Sequence, residues 1–168
     1  PYEIGFIKNK YIGRTFIAPG QQFRENLVKI KLNVISEVVR GKRVVLVDDS
    51  IVRGTTSARI VGLLRQAGAT EVHFRSSAPP FIDLCYYGTD IDSKDNLIAC
   101  RHSMDEIRDI IGVDSLGYLS VENVTKLAPK KCQGFCTACF DGKFPTRVPG
   151  FKVQPKFSKK ISENTNNK

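Results

Sequence analysis

Residues 43–76 constrain this chain more than any other stretch. They read "RVVLVDDSIVRGTTSARIVGLLRQAGATEVHFRS". The opening "VVLV" predicts a buried strand. The hydroxyl-rich "TTS" that follows, with Ile60, Val61, Leu63, Leu64 and Ala67 on one stripe and Gly68 placed to cap the C-terminus, predicts an amphipathic helix. "TEVHFRS" then reads as a second strand. A strand, helix and strand in about 34 residues is the size of a right-handed crossover, so the two strands run parallel. The expected fold is α/β, a largely parallel sheet flanked by helices.

Between the first strand and the helix sits an unusual set of polar residues. Asp48 and Asp49 fall at the carboxyl end of a parallel strand, where α/β proteins bind ligands. Adjacent carboxylates repel and are costly to desolvate, so they call for sugar hydroxyls, a divalent cation or water. Gly54 permits close backbone approach, and Thr55, Thr56 and Ser57 offer hydroxyls and N–H groups at a helix start, which favours an anion. A ligand with hydroxyls for the aspartates and a phosphate one helical turn away matches a ribose 5-phosphate. Taken singly, each residue is explained as well by turn formation or helix capping; the ordered set is not. A Walker loop is excluded because Gly-x-x-x-x-Gly-Lys-Ser/Thr is absent.

The rest of the chain fits one domain of ordinary globular composition, 168 residues with 41% hydrophobic and 26% charged residues. Residues 2–7 predict a short strand. "KNKYIGRTFIAPGQQ" predicts a mobile, solvent-facing loop, and Phe23, Leu27, Ile30, Val34, Ile35 and Val38 predict a helix over residues 22–39. Residues 104–111 predict another helix, and "SLGYLSVENV" a strand entering a helix. There is no internal repeat. The net charge of +9 is lopsided: from Lys126 onward ten basic residues face only Asp141 and Glu163, and residues 149–168 read as a basic, disordered tail. Phe151 and Phe157 are its only aromatic residues, which argues against a nucleic-acid interface. No run of about 18 apolar residues and no signal-like opening is present, so no membrane partner is expected and the cytoplasm is the expected compartment. The chain opens at Pro1, without an initiator methionine, on residues that read as the middle of a domain, so a fragment is expected.

Five cysteines, three of them clustered, fit metal binding in a reducing compartment better than a disulfide framework. Cys136 and Cys139 form a C-x-x-C that suits zinc or an iron–sulfur cluster, and spacing alone does not choose between them. Cys132 extends it to C-x₃-C-x₂-C, a spacing shared with radical S-adenosylmethionine enzymes. Those need a large barrel after the motif, and the residues beyond Cys139 are few and largely polar. Cys85 alone reads as a small buried apolar residue. His73 and His102 lack catalytic partners at recognisable spacing and are read as structural.

"VVLVDDSIVRGTT" resembles the phosphoribosyl pyrophosphate (PRPP) signature of type I phosphoribosyltransferases. Together with "YIGRTFIAPGQQFRENLVKIKLNV", "SAPP", "DSLGYLSVENV" and "CTACFDGKFPT", it is similar to the amidophosphoribosyltransferases over residues 1–148. That resemblance implies an incomplete type I phosphoribosyltransferase domain in which PRPP and glutamine, by way of ammonia, give phosphoribosylamine, pyrophosphate and glutamate at the first step of purine synthesis. By position, Asp48 and Asp49 would face the ribose hydroxyls and Mg²⁺, while Ser50, Ile51, Val52, Arg53, Gly54, Thr55 and Thr56 would wrap the 5-phosphate. Residues 8–31 would form a flexible lid closing over PRPP. Cys85, Cys136 and Cys139 would be three of the four ligands of a [4Fe–4S] cluster, with no role for Cys100 or Cys132. The resemblance places the fourth ligand, the pyrophosphate loop and an N-terminal glutaminase domain, with its catalytic cysteine, upstream of Pro1. The fragment alone would then be inactive, and the whole enzyme a homo-oligomer, a tetramer. The competing readings are a PRPP-sensing transcriptional repressor and a salvage phosphoribosyltransferase acting on a nucleobase.

Overall fold

The computed structural model describes residues 2–8, 32–89, 91, 93–129 and 134–148. The proposed lid beyond Lys8, Cys132 and the basic tail lie outside the described residues. The chain divides into two compact units, each assembled from alternating segments.

The first unit comprises Pro1–Val47, Thr55–Arg75 and Arg108–Gly117. Strands β1 (Phe6–Lys8) and β2 (Leu32–Val34) pair antiparallel with Phe6 opposite Val34. The helix expected over residues 22–39 is therefore corrected within its described part. Residues 32–34 are extended and only Ser36–Val39 is helical, as α1. Spacing misled here because Val34, Ile35 and Val38 satisfy a helical stripe, while pairing with β1 secures the extended form of the first of them.

Strands β3 (Arg43–Asp48), β4 (Glu71–Ser76) and β5 (Ser115–Tyr118) form a second sheet with β4 in the centre. Hydrogen bonds fix its direction. Thr70 N–H donates to the Lys42 carbonyl (2.9 Å) before the first pair of strands, and Ser77 N–H donates to the Asp48 carbonyl (2.9 Å) after it. Asp114 N–H donates to Val72 O (2.9 Å) and Leu119 N–H to Ser76 O (3.0 Å). Partners advance together along both strands of each pair, so all three are parallel.

Helix α2 (Thr55–Gln66) makes the crossover from β3 to β4, as the sequence predicts. Its Ile60, Val61 and Leu64 are buried, as are Val72 and Phe74 of β4, both at 0% exposure. Each such side chain contributes about 1.5–3 kcal/mol of burial. Gly68 ends the turn at φ +97°, and a Cβ there would approach Arg40 Cγ at 3.1 Å, so glycine is required by both backbone and space. One expectation is half met: β3 is an edge strand, and its burial alternates instead of being continuous. Val45 is 62% and Val47 66% exposed.

The second unit comprises Asp48–Gly54, Ser76–Ile107 and Tyr118–Lys168. It holds the carboxyl ends of the three parallel strands, a 3₁₀ turn at Lys94–Asn96, and the helices α3 (Ile98–Arg101), α5 (Val121–Thr125) and α6 (Ala138–Asp141). Helix α4 (Met104–Ile111) begins in this unit and ends in the first. Ser103 and Glu106 form a reciprocal capping box at its start: Ser103 N–H donates to Glu106 Oε2 (2.7 Å), and Glu106 N–H to Ser103 Oγ (3.3 Å). Ile51, Phe81, Leu97, Ile98, Ile107 and Ala138 are buried in this unit. Among the described residues no helix is long and apolar enough to cross a membrane.

Candidate functional site

The chain leaves β3 at Asp48 and turns through residues 49–54 before α2 begins at Thr55. Asp48 Oδ1 accepts the N–H of Asp49 at 2.9 Å, and Asp49 Oδ1 accepts the Ser50 hydroxyl at 3.0 Å. Burial is the main influence on Asp48 and pushes its pKa upward. The Asp49 N–H opposes that shift, and the neighbouring Asp49 charge adds to it. An acid held in this way gains from a cation or from donor hydroxyls beside it.

The turn is anchored on both sides of the carboxylates. Ser77 follows β4, and its N–H and hydroxyl both reach the Asp48 carbonyl (2.9 and 3.0 Å). The hydroxyl also lies 3.3 Å from the Asp49 carbonyl. Farther along, Ile98 N–H donates to the Val52 carbonyl at 2.9 Å, tying the turn to the start of α3. Ile51 is 1% exposed, so its side chain anchors the loop in the core and only its backbone is left to meet a ligand. Arg53, Thr55 and Thr56 are exposed, and Ser50 and Val52 half-buried. Gly54 is buried at φ +78°, a left-handed conformation that side chains disfavour, immediately before the helix.

Ser77 was not a candidate from the sequence, although it opens the quoted "SAPP". Hydroxyl contacts to the carbonyls of Asp48 and Asp49, both distant in sequence, leave no local pattern. Tyr118 was also missed. As the last residue of β5, it has a buried hydroxyl with no hydrogen-bond partner, and burial pushes its pKa up to about 12.

The cysteines lie elsewhere in the second unit. Cys85 is half-buried and its sulfur accepts the N–H of Thr89 at 3.3 Å. Although burial is the largest single influence and acts upward, the N–H groups of Thr89, Tyr87 and Gly88 together outweigh it and bring the thiol down to about 7. Backbone donors thus favour ionisation of Cys85, which is not the apolar filler that a lone cysteine suggests. Cys139 goes the other way, to about 11, first because of burial and next because it feels the charges of Cys85 and Cys136. The Cys139 carbonyl accepts the N–H groups of Ile82 and Asp83, at 2.9 and 3.1 Å, so the segment that carries Cys85 is hydrogen-bonded to the C-x-x-C. Among the described residues no group of three or more side chains is arranged for a single metal ion. Thiol donors are of the kind that hold iron–sulfur clusters. Cys100 is occupied differently, its thiol donating to the Ile82 carbonyl at 3.3 Å.

Each histidine faces a carboxylate close by in sequence. His73 bridges Ser115 Oγ and Glu71 Oε2, both at 2.9 Å, across the first unit's sheet. His102 faces Glu106 at 3.9 Å.

Known proteins share this sequence and fold. No family model matches. An amidophosphoribosyltransferase of Bacillus subtilis (strain 168) is 54% identical over 159 residues, covering 92% of this chain and 33% of its own length. That of Archaeoglobus fulgidus is 53% identical over 152 residues, covering 89% and 33%. A solved structure described as the allosteric regulatory enzyme of purine biosynthesis superposes with a TM-score of 0.77 at 54% identity, over 92% of this chain and 34% of that one. Glutamine PRPP amidotransferase from B. subtilis, solved with ADP and GMP, gives 0.75 at 52% identity, over 91% and 35%. The chain therefore spans about a third of the length of the curated relatives it matches. Over that third it is homologous to them, and its fold is of the type I phosphoribosyltransferase kind.

Proposed function

We propose that this chain, homologous to a third of the amidophosphoribosyltransferases, is the part of such an enzyme that binds the ribose 5-phosphate moiety of PRPP. The observation that carries the reading is the stretch from Asp48 to Thr56. A repelling carboxylate pair ends a parallel strand, a left-handed Gly54 follows, and a helix starts at two exposed threonines. On this reading Asp48 and Asp49 take the ribose hydroxyls and hold Mg²⁺, which would neutralise charge on pyrophosphate. The segment from Ser50 to Thr56 gives hydroxyls and N–H groups to the 5-phosphate.

The reaction would be displacement at the anomeric carbon. Ammonia forms the new C–N bond, the bond to pyrophosphate breaks with its electron pair, and the added nitrogen gives up a proton. The transition state has oxocarbenium character, so holding the ribose and excluding water supply much of the acceleration. The ammonia would come from glutamine, hydrolysed by a domain outside these residues. A closing lid over residues 8–31, a homo-oligomeric assembly and a cytoplasmic setting belong to the same proposal.

Cys85, Cys136 and Cys139 would hold a [4Fe–4S] cluster with a fourth cysteine from outside the chain. The hydrogen bonds that join the Cys85 and Cys139 segments and the lowered pKa of Cys85 support this, and the cluster's role would be structural. Anaerobically isolated protein that joins this chain to a glutaminase domain should be brown, oxygen-labile and contain iron and sulfide; stoichiometric zinc without iron would remove the cluster.

The function is tested by pyrophosphate release in that same protein. Release should be driven by glutamine or ammonia and not by free nucleobases. Release driven by bases favours a salvage enzyme, and PRPP-sensitive DNA binding without release favours a regulator.

A further inference from the structure

The two cysteine-bearing segments of the second unit are joined by more than their thiols. Phe81 packs on Phe140 with ring centroids 4.8 Å apart. The N–H groups of Ile82 and Asp83 both donate to the carbonyl of Cys139, at 2.9 and 3.1 Å. Beyond Cys85, Tyr86 meets Phe144 edge-on at 5.3 Å, Tyr87 approaches the same ring at 6.5 Å, and the Tyr87 hydroxyl lies 2.7 Å from Thr146 Oγ1. Contacts therefore flank Cys85 on one segment and Cys139 on the other.

The C-x-x-C side is braced in turn. Thr137 Oγ1 donates to Asp141 Oδ2 at 2.9 Å, Lys143 N–H donates to Asp141 Oδ1 at 2.9 Å, and Gly142 ends α6 at φ +72°. Ala138, between the two cysteines, is 1% exposed. Tyr86 and Tyr87 are themselves 39% and 50% exposed, so their rings do little for the core of the unit. Their packing is local to the cysteine segments.

We infer that Tyr86, Tyr87 and Phe144 form a metal-independent clamp that positions the Cys85 loop against the Cys136–Cys139 segment before any metal arrives. The physical gain is entropic. Phe81–Phe140 and the Cys139 carbonyl already join the two segments, so what the clamp adds is order in the stretch just beyond them that carries Cys85. Without it, metal binding would itself have to fix that stretch; with it, the fixing is part of folding and the thiol site is preorganised. Tyr86, Tyr87 and Phe144 are positioning residues, since they act through the backbone that carries the cysteines. The metal-binding consequence rests on the thiol-site reading above, but the clamp itself does not.

Two measurements separate these claims. In metal-free protein, a short bifunctional thiol reagent should join Cys85 to Cys136 or Cys139, and Phe144→Ala should slow that joining about tenfold. Phe144→Leu, which keeps most of the packing, should lie near the wild type. Anaerobic loading with Fe²⁺ and sulfide of the protein that joins this chain to a glutaminase domain, read by the visible absorption of the cluster, should show Phe144→Ala weakened by about tenfold or more, the range typical of lost positioning contacts around a metal site. Tyr87→Phe, which removes only the hydroxyl facing Thr146, should weaken it less. Wild-type joining rates in Phe144→Ala and Phe144→Leu alike would overturn the clamp. A wild-type protein that cross-links in a Phe144-dependent way yet takes up no iron–sulfur cluster overturns the thiol-site reading and leaves the clamp standing.

Discussion

Replacing Asp48 with asparagine should separate folding from ligand binding. In the folded chain Asp48 Oδ1 accepts the Asp49 N–H at 2.9 Å, and an asparagine carbonyl can accept the same bond. What the substitution removes is charge. Burial holds the Asp48 pKa above its ordinary value, so the folded state binds that proton more tightly than the unfolded state. The contribution to stability is therefore greatest when the group is protonated. It falls as the pH rises from the unfolded carboxylate pKa through the raised folded one. At neutral pH the charged side chain costs stability, and Asp48→Asn should leave the urea midpoint unchanged or raise it. Binding should respond oppositely. Losing one charge-assisted contact to a sugar hydroxyl or Mg²⁺ costs about 1.5–3 kcal/mol, roughly a 10- to 150-fold weaker affinity. Urea melts at neutral pH and calorimetric titration with ribose 5-phosphate and Mg²⁺ read the two effects. A variant destabilised by more than about 1 kcal/mol, the worth of an ordinary hydrogen bond, or one binding as tightly as wild type, refutes the reasoning.

Phe74→Ala empties a fully buried position of the central strand and should cost about 3–5 kcal/mol by urea denaturation; a cost near zero would mean that the first unit's core lies elsewhere. Gly54→Ala forces a side chain into φ +78° and should cost about 1–2 kcal/mol while also weakening ribose 5-phosphate, whereas unchanged stability and affinity would mean that the turn tolerates another backbone path. Asp114 accepts Val72 N–H and Arg65 Nη2, both at 2.6 Å, and those contacts, the backbone one foremost, lower its pKa. Its stabilisation is present above the unfolded carboxylate pKa and is lost as the pH falls through the lower folded value, so Asp114→Asn should flatten the acid limb of stability against pH; parallel limbs would contradict this.

The crossover from β3 through α2 to β4 was legible because every local signal in it agrees: β-branched run, hydroxyl-rich start, one apolar stripe and a C-terminal glycine. The short elements α4, β5 and α5 were legible for the same reason. Over residues 32–39 the signals conflict, since β-branched residues at helical spacing serve either state, and a long-range partner, β1, decided it. The acidic pair and its turn could be read off the chain. Their anchoring by Ser77 and Ile98 could not, because both contacts come from segments distant in sequence. Cys85 shows the same limit: its lowered pKa comes from N–H groups of its own loop, but only the folded backbone aims them at the sulfur. The apolar run of β3 predicted burial on both faces, yet Val45 and Val47 stay exposed because covering a face is a property of the surrounding layers and not of the strand.

The central claim is that the turn from Asp48 to Thr56 is a ribose 5-phosphate site. Amide chemical-shift mapping of this chain during titration with ribose 5-phosphate and Mg²⁺ tests it most directly. The largest, saturable shifts should fall on Asp49, Ser50, Arg53, Gly54, Thr55 and Thr56, and should be lost in Asp48→Asn. Saturable shifts confined to other segments, or none at this turn at millimolar ligand, would contradict the assignment.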